Sequence, residues 1–288
     1  MRKNGLIALL AFGGIFYFSI AAAATFEGVS GPPDDLWIDG YYHQANVETP
    51  ESGSKVIHAL VEGRWQEFSI VEFPKIFMDW NKTRRLQTLD EMSSRNSLNR
   101  EPSLSGPHDG MVATYGAKRT DSQFSLNNAV KGIGFLPKRT KIKETIKLLR
   151  DRQNSPIQEK IRILRDFYEN METLFDLDKQ VSLELYSQPK FVTQTFINQA
   201  ANPVSTIVFL DIPTFKLKAI TQLLDSNDPQ LSEYERDVVD YVNVVHSFFH
   251  GSFPRNFIVA IYYAIEVYDS TPGHPEGMGR RIAPPMSK

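Results

Sequence analysis

His246 and His250 stand four residues apart in a run that reads as one helix, so both imidazoles fall on one face, within reach of a single metal ion. The chemistry that pair implies is metal-assisted hydrolysis with a divalent cation, a carboxylate such as Glu266 serving as general base or third ligand. His274 and His58 are further candidates for that third position. A zincin helix needs glutamate directly after its first histidine, and that place holds Ser247. The structural alternative puts His250 in the last helical turn, against the terminal carbonyls and the helix dipole. His246 then borders the apolar stripe of Val238, Tyr241, Val242, Val245 and Phe249.

A second constellation lies on the segment 256–268, which reads as a long strand. One face carries Phe257, Val259, Ile261, Tyr263, Ile265 and Val267; the other mixes Ile258, Ala260, Tyr262, Ala264, Glu266 and Tyr268. On the mixed face the small residues leave room, and Tyr262, Glu266 and Tyr268 supply the few oriented polar contacts that a ligand pocket requires. Half-buried alternation with Glu266 in solvent is the competing account. In the tail, Gly273, Gly277 and Gly279 surround His274 and Glu276 and lead into Arg280 and Arg281. Free amides beside two guanidinium groups suit a phosphate or carboxylate. Pro284 and Pro285 forbid the helix start of a nucleotide-binding loop, and a solvated terminal arm is the alternative.

Residues 138–152 hold seven Lys or Arg against Glu144 and Asp151, a block suited to an anionic membrane surface or envelope polymer, or to the solvent side of a helix. Asn81, Lys82 and Thr83 form a glycosylation sequon. Ser103, Ser105, His108 and Asp109 share a loop, but no strained strand-to-helix elbow surrounds either serine.

The elements expected to position these groups are mixed. Residues 56–61 and 65–73 read as hairpin arms about Glu62, Gly63 and Arg64, and 93–110 as a long serine-rich loop. Met111 to Tyr115 reads as a short strand. Thr140 caps a helix with Ile142, Ile146 and Leu149 on one stripe. Ser155, Pro156 and Gln158 open a second helix, whose stripe runs Ile157, Ile161, Leu164, Tyr168, Met171 and Phe175. Farther on, 181–186 and 204–210 read as strands, and 189–201 and 214–224 as helices. A Ser232/Glu235 capping box starts the helix that stops at Gly251. The fold class this implies is α+β: a sheet packed by several amphipathic helices, with a β-hairpin-containing N-terminal region. The chain divides into a signal peptide at 1–24, a β-rich and loop-rich region at 25–135, a helical hairpin at 136–178, an α/β region at 179–270 and a flexible tail at 271–288.

Arg2 and Lys3, the apolar run from Gly5 to Ile20 and the alanines at 21–24 form an export signal that predicts a mature N-terminus at Thr25. The expected location is periplasmic or secreted; an uncleaved segment 5–24 would instead anchor the chain in a membrane. Export and a formal charge of −2, which becomes −4 once residues 1–24 are removed, argue against a nucleic-acid partner. No cysteine is present, which excludes disulfides, thiolate metal sites and thiol nucleophiles. The leading functional expectation is therefore a non-catalytic protein that binds a small molecule or an envelope protein, with Tyr262, Glu266, Tyr268, Arg280 and Arg281 as contacts. Its rivals are the His246/His250 hydrolase and a membrane-anchored envelope structural factor.

Overall fold

A computed structural model describes residues 36–93, 105–273 and 279–285. The export segment, Ser103, His274, Glu276 and Gly277 lie outside the described residues.

A small antiparallel sheet comes first, in the order β1 (Val47–Glu48), β2 (Val56–Val61) and β3 (Arg64–Ser69). The β2–β3 connection is two residues long, and both have positive φ, Glu62 at 52° and Gly63 at 75°. That is the geometry in which a tight turn matches the twist of its strands, and glycine adopts it without a Cβ penalty. The expected hairpin is present, but its second arm ends at Ser69. Ile70 and Phe73 are buried beyond it, and Val71 N–H and Phe73 N–H donate to the carbonyls of Ala264 and Leu177 in the main sheet.

Helix α1 (Lys75–Ser93) follows, in a stretch where the sequence signalled no element. Its buried side chains are Phe77, Met78, Trp80, Asn81, Arg85 and Leu89. Two of these are polar, so no clean apolar stripe announces the helix. Strands β4 (Asp109–Thr114), β5 (Asn127–Gly132) and β6 (Gly134–Pro137) come next, and Asp109 and Gly110 thus belong to a strand rather than to the expected loop.

Helices α2 (Ile142–Asp151), α3 (Ile157–Glu169) and α4 (Met171–Leu174) replace the expected helical hairpin. The first two begin after Lys141 and Pro156 without a side-chain cap, so neither Thr140 nor Ser155 caps. They do not close on each other: α2 packs against the later helix of residues 233–250, and α3 against α1. Of the expected stripe, Ile161, Leu164 and Tyr168 are buried on α3, Ile157 is exposed, and Phe175 already opens a strand.

The remaining elements are β7 (Phe175–Glu184), α5 (Gln194–Ala201), β8 (Val204–Phe209), β9 (Phe215–Leu224), α6 (Glu233–His250), β10 (Ile258–Asp269) and β11 (Arg280–Ala283). The capping box at Ser232 and Glu235 is formed, and α6 ends at Gly251 with φ 83°. Residues 214–224, expected as a helix, are instead the ten-residue strand β9 at the centre of the sheet. Phe215, Leu217 and Ala219 alternate with Lys216 and Lys218 at period two, and all of Ala219 to Leu224 is buried. Ladders to β8 on one side and β10 on the other settle the choice that helix-compatible spacing left open.

The main sheet runs β5-β4-β8-β9-β10-β7-β6, with β11 beside β10, and all its ladders are antiparallel. A flat sheet would hold β5 and β7 about 24 Å apart, at ~4.8 Å per neighbour. Lys131 Nζ on β5 nevertheless donates to Glu184 Oε2 on β7 at 2.5 Å, so the sheet curls until its ends meet. The protein is an α+β fold built on this curled sheet. Val112, Ile207 and Phe209 line the inner face, and Phe77 and Trp80 of α1 pack against Phe209.

Candidate functional site: an outer sheet face with a basic aromatic end

The inside of the curl holds a polar layer most of whose members bond one another, while the buried amide of Gln180, paired with Tyr262 across β7 and β10, has no side-chain partner among the described residues. Glu184 accepts from Lys131 and, at Oε1, from Ser187 Oγ (3.2 Å) and Thr193 Oγ1 (2.9 Å). Burial pulls the Lys131 ammonium down, and the adjacent Glu184 carboxylate more than restores it, leaving its pKa above the usual lysine value. Tyr262 OH meets Ser182 Oγ at 3.0 Å, and Gln199, Ser205 and Thr221 are chained by bonds of 3.1 and 2.8 Å. Tyr262 is 1% exposed, so it is an interior residue and no surface contact.

Glu266 does not share its side of β10. Tyr262 and Ala264 pair with Thr221 and Ala219, whereas Glu266 pairs with Lys218, so Ile265 is an extra residue that shifts the register. A bulge of this kind turns the following side chains to the other face. The expected ligand face of Tyr262, Glu266 and Tyr268 is therefore split: Tyr262 points into the curl, Glu266 and Tyr268 point out.

Outside, Glu266 and Tyr268 meet two lysines that the helix expectation for 214–224 had hidden. Glu266 Oε2 accepts from Lys218 Nζ (2.8 Å) and Tyr268 OH (2.9 Å), and Oε1 from Arg281 at 3.4 Å. Partial burial raises the Glu266 carboxyl, but the bonds from Lys218 and Tyr268 outweigh it and hold the pKa below the usual carboxylate range. The ammonium groups of Lys216 and Lys218 lie 4.7 and 5.1 Å from the centre of the Tyr268 ring. Arg281 joins this cluster through its pairing with Tyr268, while Arg280 pairs with Asp269 in the next register position and so takes the opposite face of β11. The two arginines do not form the joint anion clamp that their adjacency suggested.

The same outer side extends across β8, β4 and β5. Ladder partners run Lys216–Val208–Met111–Val130, and Lys218–Thr206–Ala113–Asn128 beside them. On β4 and β8 the inward residues are buried and these outward ones half-buried in strict alternation. Val130 is 45% exposed, and among the described residues Met111, Val208 and Val130 belong neither to the core nor to the half-buried apolar side chains packed on it. Leu126, at 70%, lies just before β5 and enlarges the exposed apolar area. The signal that could have located this face was the Phe-Lys-Leu-Lys-Ala alternation at the start of β9.

His246 Nδ1 donates to the Val242 carbonyl at 2.8 Å, one turn back on α6, and its Nε2 points toward Gly132. Burial lowers its pKa to about 4, and His250, in the last turn, is lowered as well. Glu266 is committed to Lys218, Tyr268 and Arg281. Among the described residues no group of three or more His, Asp or Glu is arranged to hold a metal ion. Of the other expected candidates, His58 sits on β2 between Glu48 and Glu67.

The basic block 138–152 is largely spent on acids of α2, α3 and α6. Lys143 pairs with Glu233 and Asp237, and Arg150 with Asp240, while Lys147 and Arg152 take Asp151 and Glu159. Asn81 of the sequon is buried, where a glycan has no room. It accepts from Arg85, a buried guanidinium the sequence did not single out, whose five N–H groups reach Asn81, His108 Nδ1, Tyr168 OH and the carbonyls of Pro107 and Ile133 at 2.8–3.3 Å. This network pins the segment before β4 to α1 and α3; it is a structural clasp. Among the described residues, two depressions are a cleft of about 240 Å³ between α1 and α4 and an open dish on the loop 118–123. The first is smaller than a typical ligand pocket, the second is not enclosed, and neither contains an expected site residue.

No protein-family model matches the sequence, and no curated protein does. Among solved structures, the chain is similar to a protein related to general stress protein 26 of Bacillus subtilis (pyridoxinephosphate oxidase family) from Clostridium acetobutylicum. The identity is 8%, the match covers 69% of this chain and 94% of that one, and the TM-score is 0.29. A likeness at that level assigns neither family nor function.

Proposed function

We propose that the protein is a non-catalytic, partner-binding protein that acts through the outer face of β5, β4, β8 and β9, in the periplasm or outside the cell. One observation carries the reading: Met111, Val208 and Val130 form an apolar row that, among the described residues, joins no core and runs into the Lys216, Lys218 and Tyr268 cluster. Apolar side chains left outside a core in a contiguous group mark surfaces that another molecule covers. In the interior, by contrast, Lys131 bonds Glu184, Tyr262 bonds Ser182, and Gln199, Ser205 and Thr221 bond in a chain. A protein partner fits such a broad face better than a small molecule does. Export belongs to the proposal through residues 1–24, and a mature chain whose mass begins at Met1 would remove cleavage from it.

The test pairs a surface variant with an interior one in a host whose own copy of the gene is deleted. Met111→Glu is expected to keep its thermal midpoint and lose rescue of the deletion phenotype, while Tyr262→Phe rescues fully. Rescue by Met111→Glu together with loss in a folded Tyr262→Phe would place function inside the curl and contradict the proposal.

A further inference from the structure

The outer face is asymmetric in charge, with its basic groups gathered at one end. Lys216, Lys218 and Arg281 converge on one ring, Tyr268, yet they share a single carboxylate, Glu266. Asp269 follows on the same strand, but it takes the other face and caps Thr271 through Oδ1. Lys216 has no carboxylate within ion-pair distance among the described residues; its contact is the ring. Three cations against one acid leave an excess of two positive charges on a half-buried surface, where screening by solvent is incomplete. The block on α2 shows the contrast, since acids of α2, α3 and α6 take up most of its cations.

Beside this basic end the surface is apolar. From Arg281 through Tyr268, Lys216, Val208 and Met111 to Val130 the row crosses six strands, about 24 Å when followed along the curved outer surface at ~4.8 Å per strand. An extended peptide of about seven residues spans that length. Resting on the reading of this face as a docking surface, the geometry points to an acidic, extended segment of a partner protein as its occupant. Carboxylates of the segment lie at Lys216, Lys218 and Arg281, and its apolar side chains lie over Val208, Met111 and Val130. A carboxylate between Lys216 and Arg281 and a second beside Lys218 complete the charge that Glu266 leaves open, and the ring of Tyr268 holds the two ammonium groups in place for them.

The experiment uses the full chain and a short fluorescein-labelled peptide with valines at alternate positions followed by a run of glutamates, read by fluorescence anisotropy. Saturable binding is expected that weakens with added salt and falls about tenfold for Lys216→Glu. Lys147→Glu, an exposed reversal on α2, is expected to bind as the unaltered protein does. Equal affinity for Lys216→Glu and the unaltered protein would overturn the acidic-segment assignment. If Val208→Asp still abolished binding in that case, the docking face would survive without its charge logic; indifference to both would remove the face as well. Vesicles of phosphatidylglycerol binding in place of the peptide, or self-association of the chain abolished by Lys216→Glu, would also overturn it, in favour of a lipid surface or a second copy.

Discussion

Around Arg85, burial acts on neighbouring groups in opposite directions. His108 is buried and faces the guanidinium, so its pKa falls well below the usual imidazole value; Asp109 is buried beside it, and burial lifts its carboxyl to about 6 despite the nearby positive charge. A histidine whose folded pKa is depressed holds fewer protons folded than unfolded, so its contribution is present above about pH 6.5 and is lost as the pH falls. For His246 that loss runs down to about pH 4. Asp109 behaves in reverse: the folded state retains its proton between about pH 4 and 6, and stability drops as pH rises through that window. Asp109→Asn is therefore expected to be the more stable protein at pH 7, by about 3 kcal/mol at most, and to match the unaltered protein near pH 4. Urea unfolding across that range reads it out, and parallel curves separated by nothing would contradict the assignment. None of this was legible beforehand, because the sequence placed His108 and Asp109 in an exposed loop and gave Arg85 no element at all.

Local grammar identified some elements and missed others for identifiable reasons. The β2–β3 turn and the Ser232 capping box are written in adjacent residues, and both formed. Strand β9 is decided by its two neighbours, and helix α1 hides its inward face behind Asn81 and Arg85. The register shift at Ile265 is invisible to alternation, yet it determines that Tyr262 and Glu266 part company. Close packing across the curl sets another condition on sequence: a Cβ on Gly110 of β4 would stand 2.6 Å from Ile207 Cγ2 and 2.9 Å from Ile133 Cγ1. Gly110→Ala is expected to lower stability by about 1–3 kcal/mol, as overpacking does in a core without slack. An unchanged urea midpoint would show that β4 and β8 yield more easily than their geometry implies.

For the molecule as a whole, the curled sheet separates two surfaces that one strand pattern would have merged. Its inner side closes on Lys131, Glu184, Tyr262 and their hydroxyl partners; its outer side presents an apolar row with a basic, aromatic end. Of the residues expected to bind a ligand, Glu266, Tyr268 and Arg281 meet at the surface, joined by two lysines from β9, while Tyr262 lies inside the curl. The most direct measurement is photo-crosslinking in the producing cell from a benzoylphenylalanine placed at Val208, compared with the same probe at Arg162, whose side chain on α3 is 78% exposed. A discrete partner adduct is predicted from position 208, absent from position 162 and lost when Lys216→Glu is added. Adducts of equal yield from both positions, unaffected by Lys216→Glu, would contradict a docking role for the outer face.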